Sequence, residues 1–146
     1  MATNRSSFSY QVDGLRELVR DLKTEPERLD KELRKRFKEV AEDVRDEARS
    51  RAAGRSSPRP GSRVVNTIRA SSGSADARVS IGSPSVPWAM GHEFGSLRYR
   101  QFPSWRGSAA DAGWFFWPAI REAKEEDIPN AIDAIITEFA RRAFPD

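Results

Sequence analysis

The sequence predicts an α+β fold, in which a long N-terminal amphipathic helix and a C-terminal helix pack on a small antiparallel β-sheet. Three patterns indicate it: apolar residues recur at helical spacing in the first third of the chain, apolar and polar residues alternate in the middle, and helical spacing returns after residue 118. The chain has 146 residues, the size of one domain. We therefore expect a single domain over residues 12–146.

Residues 1–11 precede that domain and are polar and rich in serine. We find no period in them and expect a flexible arm that becomes ordered only against a partner. A short amphipathic helix should follow, with Asp13 near its first turn. Its apolar face would consist of Leu15, Leu18, Val19 and Leu22.

A second, longer helix is predicted to start at a capping box. Thr24 can cap the first turn, Glu27 lies three residues later, and Pro26 falls where its missing N–H is not needed. The helix should continue to about Ala53, before Gly54. Charged residues at i and i+4 cover its other faces and indicate solvent exposure. Its apolar stripe comprises Leu29, Leu33, Phe37, Val40, Val44, Ala48 and Ala52.

The middle of the chain predicts a β-hairpin between two long loops. Residues 54–63 are basic and rich in Pro, Gly and Ser, which favours a mobile loop. Residues 64–71 and 77–81 alternate in polarity on either side of Ser72-Gly73-Ser74, which is typical of a hairpin. Residues 88–94 fit a third strand or an irregular extended segment. Residues 95–113 have no sustained period, and a loop of this length is usually functional or disordered.

The last part of the chain predicts helical structure in two pieces. Pro118 suits a first helical turn. Asp127 followed by Pro129 predicts a kink or a restart, because proline removes a helical hydrogen bond and clashes with the preceding turn. Beyond it, one apolar stripe is formed by Ile128, Ile132, Ile135, Ile136, Phe139 and Ala143.

Charge is distributed unevenly along the chain. The formal net charge is +3, but residues 48–117 carry ten basic and three acidic side chains, while the two flanking segments are each net acidic. A basic block of this kind indicates a polyanion or an acidic protein surface as partner.

The motifs of common catalytic and metal sites are missing from the sequence. There is no cysteine and a single histidine, His92, so neither a thiolate site nor an H-E-x-x-H zinc motif is available. No nucleophile elbow, phosphate-binding loop or dinucleotide fingerprint occurs. The carboxylates of residues 122–127 fit a solvated helix surface. We therefore expect no enzymatic activity, no cofactor and no metal. No stretch has the ~20 apolar residues of a membrane span, which favours a soluble protein that is not exported.

Large aromatic side chains and arginines are concentrated between residues 88 and 117. These residue types are enriched where protein interfaces gain their binding energy. Phe115, Phe116 and Trp117 fit the core of the domain. For Trp105 and the arginines of the long loop, a role within the domain and a role at an interface fit the sequence equally well. The candidate oligomer or channel contacts are Arg59, Arg63, Arg98, Arg100, Trp105 and Arg106.

One signature and the four features around it occur in an order that resembles a known family. Residues 88–96 read Trp-Ala-Met-Gly-His-Glu-Phe-Gly-Ser and look like a Tyr-Ala-x-x-x-Glu-Phe-Gly-Thr signature. Gly14-Leu15-Arg16-Glu17-Leu18 resembles the family's opening helix, a long helix and a strand pair follow, and Phe115-Phe116-Trp117-Pro118-Ala119 resembles its closing helix start. The family is the tail-completion or neck proteins of long-tailed bacteriophages, the gene-product-10-like morphogenesis family. The motif positions are Trp88, Ala89, Glu93, Phe94, Gly95, Ser96, Pro118 and Ala119.

The resemblance implies a role in the virion rather than a reaction. Relatives form rings of identical subunits in the neck, between head-closure proteins and the tail terminator or tube, so the protein would act in the virion after assembly in the host cytoplasm. The arginines would face adjoining rings or channel DNA, without sequence specificity. Residues 57–63 and 99–113 depart from the family pattern, so loop contacts can differ. Two alternatives remain at this stage, a tail terminator or other tail ring protein, and a basic nucleic-acid-binding module.

Overall fold

The computed structural model describes residues 5–13, 26–55, 58–73, 76–107 and 110–143. It has an α+β fold, as the sequence predicts. The predicted short helix at residues 15–22 lies outside the described residues. In chain order, the elements are β1 (Ser6–Gln11), α1 (Pro26–Ala53), α2 (Ser62–Val65), β2 (Arg69–Ser72), β3 (Asp76–Ile81), α3 (Ala89–Phe94), α4 (Phe116–Glu125) and α5 (Asp127–Ala143).

The long helix α1 forms one side of the core, as its apolar stripe predicts. It contacts β2, β3, α4 and α5. Burial of aliphatic and aromatic side chains along this stripe is the main stabilising contribution, because it removes apolar surface from water. The buried residues on this side of α1 are Leu33, Phe37, Ala41, Val44, Ala48 and Ala52, whereas Val40 of the predicted stripe is half-buried.

The sheet has the strand order β1-β3-β2, with both neighbouring pairs antiparallel. β3 is central, and Val79 lies opposite Phe8 of β1 and Ala70 of β2. Every second residue of β3 is buried, namely Ala77, Val79 and Ile81. This alternation places one face of the sheet on α1. The predicted hairpin is thus confirmed as β2–β3.

A flexible arm was predicted at residues 1–11, and this prediction is wrong for residues 6–11. Ser6–Gln11 forms β1, an edge strand paired with β3 over six residues. Phe8 and Tyr10 are half-buried and pack on the core, with the Tyr10 ring centroid 6.3 Å from that of Phe37. These rings alternate with exposed serine and glutamine, which is the period of a half-buried strand. The polar residues between the rings make this period difficult to detect in the sequence.

Two other segments in the middle of the chain differ from expectation. The strand predicted from residue 64 begins only at Arg69, because Ser62–Val65 is a helical turn in which the Asn66 N–H donates to the Ser62 carbonyl at 2.9 Å. Residues 89–94 form helix α3 instead of extended chain, because Ala89 and Glu93, one helical turn apart, are both buried. The third strand of the sheet is β1.

The C-terminal region consists of two helices separated at one residue, as the Asp127 and Pro129 pattern predicts. Glu126 leaves helical geometry, with φ −134° and ψ −54°, and α5 starts at Asp127. Arg36 pairs with Glu138 and Arg51 pairs with Glu122, so the α4–α5 pair runs antiparallel to α1. Of the described helices, none is long and apolar enough to cross a membrane.

Candidate functional site

The motif at residues 88–96 forms α3 and the turn after it, and its carboxylate is built into the fold. Glu93 is fully buried. Its two carboxylate oxygens accept five hydrogen bonds from the backbone N–H groups of four consecutive residues, Trp114 to Trp117, at 2.7–3.1 Å. Glu93 therefore caps the N-terminus of α4 from a position more than twenty residues earlier in the chain.

This cap satisfies groups that a helix cannot satisfy itself. The first N–H groups of a helix have no partner within it, and the helix dipole favours negative charge at that end. Burial raises the pKa of Glu93, although the backbone hydrogen bonds from residues 114–117 oppose that rise. With its oxygens occupied by backbone donors, Glu93 is unsuited to bind a ligand or transfer a proton.

Two glycines allow the chain to approach this cap closely. Gly113 has φ +88°, and a Cβ at this position would lie 2.9 Å from both Glu93 carboxylate oxygens. Gly95 has φ +82°, and a Cβ there would lie 2.0 Å from the Ser104 carbonyl oxygen. L-amino acids with a side chain rarely adopt such φ values. Glycine is therefore required at both ends of the long loop.

Backbone hydrogen bonds close the base of the loop at residues 95–107. The Ser96 N–H donates to the Pro103 carbonyl at 2.9 Å, and the Arg106 N–H donates to the Phe94 carbonyl at 2.6 Å. The Trp114 indole N–H donates to the Ser104 carbonyl at 2.8 Å. The described part of the predicted 95–113 loop contains no helix or strand, as expected, yet its base is held in place by these bonds.

Arginine side chains cover several aromatic rings around this loop. The guanidinium groups of Arg55 and Arg106 lie 4.3 and 4.4 Å from the ring centroid of Trp114. Such distances are within the range of cation–π attraction. Burial, followed by the charge of Arg106, lowers the pKa of Arg55. Two cations thus share one ring without an ion-pair partner among the described residues.

The outer part of the loop is basic and exposes large apolar side chains. Leu97 is 90% exposed, and Tyr99 and Trp105 are each 52% exposed. Arg98 lies over the Tyr99 ring at 5.6 Å. Residues 95–107 contain three arginines and no acidic residue. We call residues 96–106 the basic loop.

The predicted motif residues are brought together in two elements that Glu93 joins. Trp88, Ala89, Glu93, Phe94, Gly95 and Ser96 belong to α3 and its flanks, and Pro118 and Ala119 lie in the first turns of α4. Ala89, Gly95 and Ala119 are buried, whereas Trp88 is exposed and lies under the Arg63 guanidinium at 5.2 Å.

The candidate contact residues do not form one cluster. Arg59 is exposed and donates to the Arg55 carbonyl at 2.9 Å, so it lies near the Trp114 stack that includes Arg106. Arg63 lies on Trp88. The remaining candidates are exposed side chains of the basic loop, Arg98, Arg100 and Trp105.

Sequence reasoning missed three residues that organise this region, namely Arg55, Gly113 and Trp114. Gly113 directly precedes the aromatic run, and a glycine before a helix start is a signal for a tight turn. No sequence signal points to Arg55, because it follows α1 and meets Trp114 only through the tertiary fold.

The histidine beside Glu93 is a packing residue. The His92 ring is half-buried and meets the Phe102 ring edge-on, with centroids 5.1 Å apart. Burial, followed by the nearby charge of Arg55, lowers the pKa of His92. Within the described ranges, no group of three or more His, Cys, Asp or Glu side chains is placed to hold a metal ion.

Comparisons with known proteins found no match that bears on this geometry. No family model matches the chain, and neither a curated protein nor a solved structure is significantly similar to it.

Proposed function

We propose that the protein is a structural subunit of the head–tail connector, or neck, of a long-tailed bacteriophage, where it forms a ring of identical subunits joining head-closure proteins to the tail. The proposal starts from the resemblance of residues 88–96 and 115–119 to the neck family. It assigns the protein no enzymatic activity.

The cap formed by Glu93 is the observation that carries this proposal. The most polar residue of the motif serves the fold, since it receives four backbone N–H groups of α4. The motif therefore stabilises the conformation of the basic loop. The loop exposes Leu97, Tyr99 and Trp105 beside arginines, a composition typical of interfaces.

A ring role also fits the distribution of charge. The middle of the chain is net basic and its two flanking segments are net acidic, so each subunit carries segments of opposite sign. Unlike patches that meet head to tail generate a closed ring when the rotation between subunits closes. Arg59, Arg63 and Arg100 are exposed and available to adjoining rings or to channel DNA, where phosphate contacts are independent of sequence and sensitive to salt.

The test is deletion of the gene from the phage genome that encodes it, followed by electron microscopy of the lysate. We expect DNA-filled heads and separate tails, with infectivity restored by the wild-type gene in trans. Immunogold labelling of complete particles should mark the neck. Normal yields of infectious particles from the deletion phage, or absence of the protein from purified virions, would refute the proposal.

A complementation series tests whether the arginines of the basic loop are needed for infectivity. The variant with Arg98→Glu and Arg100→Glu should fail to restore infectivity. The matched variant Lys35→Glu and Lys38→Glu changes charge equally at exposed residues of α1, outside the loop and outside the basic middle of the chain, and should restore it.

A further inference from the structure

A groove of about 470 Å³ lies between α1 and the α4–α5 junction. Its floor is apolar and is formed by side chains of all three helices. None of the described residues of the basic loop lines it. The floor residues are Val40, Val44, Ala119, Ala123, Ile128 and Ala131.

Carboxylates dominate the rim of this groove. Asp43, Glu47, Glu122 and Asp127 line it together with one arginine, Arg51. Arg51 is already engaged, since it donates to Glu47 at 2.9 Å and pairs with Glu122. In the part of the chain that the structure describes, Asp43 and Asp127 have no ion-pair partner. An apolar floor with an acidic rim favours an occupant that combines apolar and cationic side chains.

The basic loop has the complementary character. Leu97 and Tyr99 are exposed apolar groups, and Arg98 and Arg100 alternate with them along the chain. The loop contains no acidic residue that the rim would repel. Hydrogen bonds at its base, from Ser96 to Pro103 and from Arg106 to Phe94, hold it in shape, which lowers the entropy lost on docking.

We infer that the acidic groove of one subunit receives the basic loop of a second copy of this chain. Leu97 or Tyr99 enters the apolar floor, while Arg98 and Arg100 face the carboxylates of the rim. The inference rests on the self-assembly in the proposed function and adds the surfaces through which it occurs.

The contact joins two different surfaces of the subunit, so it can repeat head to tail around a ring. Each subunit therefore offers one loop and one groove, and the contact repeats from copy to copy. A head-to-tail arrangement, as in a ring, places the loop and the groove of one subunit on two different neighbours, whereas a two-fold dimer would place both contacts on the same neighbour.

Disulfide trapping tests the contact directly, because the chain has no cysteine of its own. A Leu97→Cys variant is mixed with an Asn130→Cys variant, Asn130 being exposed at the groove. We expect a Leu97–Asn130 cross-linked dimer under mild oxidation. The control pairs Leu97→Cys with Ser71→Cys, an exposed position on β2, and should give at most background cross-linking.

Charge reversal gives a second test by native mass spectrometry at low ionic strength. One variant carries Arg98→Glu and Arg100→Glu, and the other carries Asp43→Lys and Glu47→Lys. Each alone should self-associate at least about tenfold more weakly than wild type, because like charges then face each other. Mixing the two variants should restore assembly, since the reversed loop then meets the reversed groove and each native surface keeps its native partner.

The control for charge alone is Asp30→Lys with Asp46→Lys, two exposed acidic residues of α1 outside the groove. It should self-associate like wild type. Cross-linking no stronger than with Ser71→Cys, or mixtures no more associated than the separate variants, would overturn the loop–groove contact. If wild type still forms rings in that case, self-assembly stands and uses other surfaces. Rings with the predicted contact that are absent from virions would instead overturn the neck assignment alone.

Discussion

Glu93 and Gly113 pack against each other at the start of α4. The Glu93 carboxylate occupies the space where a side chain on residue 113 would begin, with both oxygens 2.9 Å from an ideal Cβ position. The positive φ of Gly113 then directs the following four N–H groups at the same carboxylate. The two residues together determine where α4 begins and how the end of the long loop meets it.

Replacing Glu93 by glutamine should destabilise the fold. The amide keeps one acceptor oxygen and places an NH₂ group against backbone donors, so some of the N–H groups of residues 114–117 lose their partner. We expect the free energy of unfolding to fall by about 2–4 kcal/mol, since each unsatisfied buried donor costs about 1–3 kcal/mol. Urea denaturation measures it. Glu125→Gln, an exposed change on α4, is the control, and equal stabilities of the two variants would contradict the capping role.

Alanine at position 113 should be more harmful than alanine at position 61. Gly113→Ala forces a side chain into a left-handed conformation and against the carboxylate, whereas Gly61 has φ −75° and no atom within 4 Å of its Cβ position. We expect a loss of about 1–3 kcal/mol at 113 and little or no loss at 61. Thermal unfolding of both variants checks this. A Gly113→Ala protein as stable as Gly61→Ala would show that the turn tolerates other geometry.

The protein should lose stability as the pH falls below about 6.5 because of His92. The pKa of His92 is lowered from its usual 6.5 in the folded state, so the unfolded chain binds the proton more readily. Stability from this group is complete above pH 6.5 and is lost as the pH falls towards the lowered folded value. His92→Phe, which keeps a ring beside Phe102, should reduce the loss of free energy of unfolding as the pH falls below 6.5.

The single histidine also makes the titration directly observable. The His92 imidazole resonances in an NMR titration should give a midpoint below 6.5. A midpoint at or above that value would contradict the prediction, whatever the stability measurements show.

The edge strand β1 should be needed for stability. Phe8 is half-buried against the core and lies opposite Val79, so Phe8→Ser removes apolar burial from the sheet. We expect a loss of about 1–3 kcal/mol, the scale of burying one such side chain. Ser7→Ala, at an exposed position of the same strand, should change stability by less than about 0.5 kcal/mol. Equal effects of the two changes would instead support the prediction of a flexible arm at these residues.

Local sequence patterns were sufficient for the helices α1, α4 and α5 and for the existence of the hairpin. The stripe from Leu33 to Ala52 has the helical period, and Pro129 after Asp127 indicates the break that occurs at Glu126. These features depend on neighbours three or four residues away, and such information is present in the sequence.

Features that depend on distant parts of the chain could not be predicted in the same way. β1 is stabilised by β3, some seventy positions later, and its serines concealed the alternation. Helix α3 has few residues, and the burial of Glu93 depends on donors from α4. The motif residues were identified, but the role of Glu93 as a cap for another helix was not, since a cap is normally recognised within the first turn of its own helix.

The pairing of Ser6–Gln11 with Asp76–Ile81 has a consequence for folding during synthesis. During synthesis β1 emerges from the ribosome well before its hydrogen-bonding partner β3, which follows some seventy residues later. β2 and β3 form a local hairpin that can close quickly, whereas β1 must wait to close a much longer loop. We expect the nascent chain to hold Phe8 and Tyr10 unpaired until β3 appears, and chaperones would engage this segment during that interval.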